Sequence, residues 1–168
     1  MLQKYKMFIP KSNSKFLEYS LKVNNSELIT MFMRSRESLS ARALYYAIEN
    51  KNMPATLQIL KYMDKDKILQ EIEGKSLLKK AIEAGDEYAI RLVEKGAEIT
   101  EDDIVEATIN NREKLVIYLI ENTDNKIDYN YELVAKGEKF IDNENISMLG
   151  AAALNANERL LKYFQNKG

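Results

Sequence analysis

Gly74-Lys-Ser-Leu-Leu-Lys-Lys-Ala-Ile-Glu-Ala-Gly-Asp-Glu-Tyr-Ala-Ile-Arg-Leu-Val-Glu-Lys-Gly-Ala97 is the stretch whose reading decides the fold. Leu78, Ala81 and Ile82 recur at three- and four-residue spacing, which puts them on one stripe of a short helix. Gly85 interrupts that pattern, and Ala89, Ile90 and Val93 resume it before Gly96 stops it again. The expectation is two short antiparallel amphipathic helices joined by a tight turn. Neither helix can bury its apolar stripe alone, so a chain that uses this unit must repeat it.

Repeats are found on both sides. When Ser20, Ala47, Ala81, Ala107 and Ala152 are aligned at position 0, position −3 reads Leu17, Leu44, Leu78, Ile104 and Leu149. Position +1 reads Leu21, Ile48, Ile82, Thr108 and Ala153; position +4 reads Asn24, Lys51, Gly85, Asn111 and Ala156. The second helix supplies Leu28, Ala55, Ala89, Leu115 and Leu160 at +8, and Ile29, Thr56, Ile90, Val116 and Leu161 at +9. At +12 it supplies Phe32, Ile59, Val93, Leu119 and Phe164. A small residue at position 0 lets neighbouring helices approach closely, and +4 is where the first helix should end. The steps between the small residues are 27, 34, 26 and 45 residues.

Residues 74–97 resemble an ankyrin repeat. Ser76-Leu77-Leu78-Lys79 stands where that family writes Thr-Pro-Leu-His, Ala81-Ile82 where it writes Ala-Ala, Gly85-Asp86 for Gly-His, and Gly96-Ala97 for the closing Gly-Ala. The unit from Ile104 to Ile120 follows the same frame, and those at 41–63, 147–164 and 17–33 match it progressively less well. The resemblance implies an all-α fold, a short solenoid of about five antiparallel helix pairs. Helix pairs of another α-solenoid, or an irregular helical bundle, would share the periodicity. The family period is about 33 residues, so the short steps leave too little room for a full β-turn finger. The 45-residue step implies an insertion around 122–146, with an extra helix expected at 131–141. Residues 1–14 read as an irregular lead-in to a single repeat domain spanning 15–168.

Composition narrows the chemistry. The chain has 168 residues with neither cysteine nor histidine. That removes disulfides, thiolate nucleophiles, the commonest general base and the commonest metal ligand. A net charge of −1 gives no pull toward nucleic acid or an anionic membrane, and no apolar run approaches a bilayer span. The first ten residues lack a sustained apolar run and a small-residue cleavage site, so no signal peptide is expected. Asp102-Asp103, after Thr100 and before Ile104, reads as the capped start of a helix and not as a catalytic pair. Phosphate loops, calcium loops and nucleophile elbows are absent from the sequence.

The functional expectation is therefore a non-catalytic protein–protein interaction module without cofactors or metal, which the ankyrin resemblance implies would bind through its concave face. Tyr19, Tyr46, Lys80 and Glu106, one residue before the small position, with Tyr45 and Lys79 beside them, form the expected partner-binding ridge. Tyrosine brings large contact area at low entropic cost; the competing reading is that Tyr45 and Tyr46 cover aliphatic neighbours. A monomeric, cytoplasmic protein is expected. A composition rich in Lys, Asn and Ile extends the reading to an adaptor or effector exported into a host cell. The alternatives are a small metal-dependent helical enzyme and a structural subunit that self-associates through its ends.

Overall fold

A computed structural model of the chain describes residues 14–33, 39–129, 131–134 and 145–167. Helices dominate and come in pairs, in the order the small-residue frame predicts. These are α1 (Ser14–Lys22) and α2 (Ser26–Phe32), then α3 (Ala41–Glu49) and α4 (Met53–Tyr62). After a short helical turn, α5 (Lys65–Ile68), come α6 (Leu77–Ala84) and α7 (Asp86–Glu94), α8 (Glu101–Ile109) and α9 (Glu113–Glu121), and α10 (Met148–Leu154) and α11 (Glu158–Lys167). Each first helix packs on its own second helix and on the next first helix, so α1, α3, α6, α8 and α10 form one layer. On the other side α4 packs on α7, and α7 on α9. Ser20, Ala47, Ala81, Ala107 and Ala152 are all fully buried in this layer.

The turn between paired helices has a recurrent physical basis. Asn24, Lys51, Asn111 and Ala156, all at +4, have φ between 50° and 55°, in the left-handed region. In each of these turns the +4 amide donates to the +1 carbonyl, and the +5 amide donates back to the carbonyl at position 0. That is the paired capping pattern that satisfies the last carbonyls of a helix. Asn25, Asn52 and Asn157 at +5 then cap the second helix, each accepting from the amide three residues on.

The third unit departs from its neighbours by one residue. Gly85 has φ 156°, and α7 begins at +5, where the other second helices begin at +6. The buried residues of α7 are accordingly Tyr88, Ala89 and Leu92, with Ile90 and Val93 only half-buried. The columns at +9 and +12 are thus displaced by one residue in this unit, because the shorter turn rotates the helix by one position.

The fold is mostly helical but not purely so. An antiparallel hairpin, β1 (Glu71–Ile72) and β2 (Lys75–Ser76), turns on Glu73 and Gly74, both at positive φ, and leads directly into α6. A second hairpin, β3 (Glu132–Val134) and β4 (Asn145–Ser147), leads into α10 in the same way. Residues 132–134 are strand and not the start of the helix expected at 131–141; positions 135–141 of that expected helix lie outside the described residues, as does the lead-in at 1–13. Ser76 and Ser147 cap the helices that follow the hairpins. Between α7 and α8 there is no strand, in keeping with the 26-residue step. There Thr100 and Asp103 form a reciprocal capping box that starts α8.

Neighbouring units are tied at position +3. Asn50 Nδ2 donates to the Leu21 carbonyl at 2.9 Å, and Asn155 Nδ2 to the Thr108 and Ile109 carbonyls at 2.8 and 3.1 Å. Two positions further on, at +5, Asn52 reaches Asn24, Arg112 reaches Asp86, and Asn157 reaches Asn111, each across to the preceding unit. These bonds fix the vertical register of the stack, because a slip of one helical position would break them.

Candidate functional site

At two successive junctions, α1–α3 and α3–α6, the first-helix layer brings position −1 beside position +2 of the unit before it. Lys22 Nζ lies 5.7 Å above the ring of Tyr46. In the next pair, Lys80 Nζ donates to Glu49 Oε1 at 3.0 Å and also stands 5.0 Å from the centre of the Tyr45 ring. Glu83, one turn beyond Lys80, lies 3.7 Å from the same ammonium and accepts from Lys75 of the β1–β2 hairpin at 2.6 Å. A braced strip of alternating charge therefore runs from α1 across α3 to α6 and onto the hairpin.

Burial lowers the affinity of Lys80 for its proton, but the bond to Glu49 and the fields of Glu49, Tyr45 and Glu83 outweigh it. The ammonium sits above its usual range as a result. Tyr45 and Tyr46 meet edge to face at 5.7 Å between ring centres. Their stacking supplies a rigid apolar floor beneath the charges.

The residues expected to form the binding ridge divide accordingly. Tyr19 is 62% exposed. Tyr45 and Tyr46 are 4% and 7% exposed, so they belong to the core and are not surface anchors. The cause is the position itself: −1 faces the preceding unit, which covers Tyr46, whereas no described unit stands before Tyr19. Lys79, Lys80 and Glu106 are half-buried at the surface. Glu106 accepts from Asn110 within its own helix at 3.1 Å. Lys22, Glu49 and Glu83 were missed in the sequence reading. Their signal was the +2 column, three residues from the −1 column and therefore its neighbour on the helix surface.

Asp103 is buried at the α8 N-terminus, and its desolvation raises the carboxyl above the ordinary range despite the bonds from Thr100 and the charge of Lys79. Thr100 donates to it through both its amide and its hydroxyl, at 3.0 and 2.9 Å. Nearby, Tyr131 donates to Asp102 at 2.6 Å, and that bond raises the phenol. These contacts account for the acidic pair as a helix start braced by the segment before β3.

Two open grooves lie on the surface of the described residues. One, of about 340 Å³, lies between α2 and α4, and the other, of about 470 Å³, between the β3–β4 hairpin and α10. Glu132 is the single ionisable residue lining either groove, so neither supplies an acid–base pair. Among the described residues no three carboxylates converge as a metal site, and no helix is long and apolar enough to cross a membrane. No protein-family model matches the chain, and no curated protein is significantly similar to it in sequence.

Proposed function

We propose that the chain is a solenoid of ankyrin type and a non-catalytic protein-interaction module, whose binding face is the first-helix layer with the adjoining hairpin. The observation that carries this reading is the charged strip joining three successive units through Lys22, Glu49, Lys80 and Glu83, over a buried tyrosine floor. Such a surface offers a partner preorganised charges whose side-chain entropy is already lost, which favours specific binding over catalysis. Tyr19, Lys79 and Glu106 extend the strip, with Tyr19 as its exposed aromatic anchor. The partner that fits is a protein segment of alternating charge with an apolar contact for Tyr19. An adaptor or host-directed role is compatible with this chemistry.

The test begins with capture of a partner by the intact chain from lysate of the source or host cell, followed by titration of that partner with variants. Tyr19→Ala should weaken binding by about 2 kcal/mol, as truncating an aromatic anchor does. The exchange Glu49→Lys with Lys80→Glu preserves attraction across the α3–α6 junction while inverting the strip, and should also abolish tight binding. Glu87→Lys, at an exposed position of α7, serves as the silent control. Glu113 is unsuitable for that purpose, because its carboxylate is largely covered and receives Arg159 at 3.0 Å. Binding that survives the first two changes and fails with Glu87→Lys would place the interface on the second helices.

A further inference from the structure

We draw no further inference here: the strongest candidate, the open groove of about 340 Å³ between α2 and α4 that Ile29, Met33 and Ala55 help to line, carries no charged residue to select a ligand, and nothing in the structure shows what covers it.

Discussion

Ala156 stands in the left-handed region with φ 50°, its amide bonded to Ala153 and the next amide to Ala152, each at 2.9 Å. Holding a residue with a Cβ there costs about 1–2 kcal/mol, because the Cβ crowds the following carbonyl. Glycine escapes that penalty but loses about 0.5–1 kcal/mol more backbone entropy on folding. Ala156→Gly should therefore stabilise the protein by about 0.5–1 kcal/mol. Ala153 is also exposed but lies inside α10, where glycine costs about 1 kcal/mol relative to alanine. The same chemical change three residues apart should thus have opposite signs. Urea unfolding at low protein concentration measures both, and the midpoints should move apart at constant slope. Lys51→Gly should behave like Ala156→Gly, and Asn111→Gly should gain less, because asparagine already tolerates this conformation. If Ala156→Gly and Ala153→Gly destabilise alike, the turn is not left-handed at +4 and the register shared by those four units is wrong.

Ala81→Leu and Ala107→Leu, at fully buried positions between first helices, should each cost about 1–3 kcal/mol by overpacking, read from the same unfolding curves. A neutral effect at both would refute close helix approach at position 0. Asn155→Ala removes the side-chain donor to the Ile109 carbonyl of the preceding unit, while the Thr108 carbonyl keeps the Asn111 amide, and should cost about 1–2 kcal/mol. Asn110→Ala removes bonds only within its own exposed helix end and should cost about 0.5 kcal/mol or less. Equal losses would mean that the asparagines do not tie units together. The pH dependence of stability tests Asp103. Its folded-state carboxyl is raised by burial, so the native state holds the proton more tightly than the unfolded chain does. The resulting stabilisation is complete below the unfolded value of about 3.9 and lost as pH rises through the raised one. Asp103→Asn should remove that decline, so that its stability relative to the parent chain improves with pH across this window. A difference between the two that is constant with pH would exclude the buried ionisation.

The first helices were legible because a helix stripe, a small residue and a turn former are all local signals. The small residues are buried in every unit, and the +4 column reports the left-handed turn even where it reads Lys51 or Ala156 and not glycine or asparagine. The second helices were legible only up to register. Gly85 matches the expected turn by composition, yet it adopts φ 156° and shortens the connection by a residue, which no count of apolar positions reveals. Residues 131–134 misled for a similar reason. A segment containing Leu133 and Val134 satisfies helix and strand patterns alike over so short a run, and pairing with Asn145–Ser147 decides between them.

The surface was less legible than the core because exposure in a stack is a property of neighbours. Tyr19 and Tyr46 occupy the same position and carry the same side chain, yet one is exposed and the other buried. The difference is that a described unit precedes Tyr46, and Lys22 of that unit is placed over its ring. Position −1 is therefore not an outward column but one half of each junction, and its side chains reach the surface only where they outgrow that junction. Lys80 does so by extending past Tyr45 to Glu49 and Glu83, which turns a packing position into a charged one. Where the −1 residue is long and charged and its +2 neighbour is charged too, as at Lys80 and Glu49, the junction closes with a polar strip at its surface.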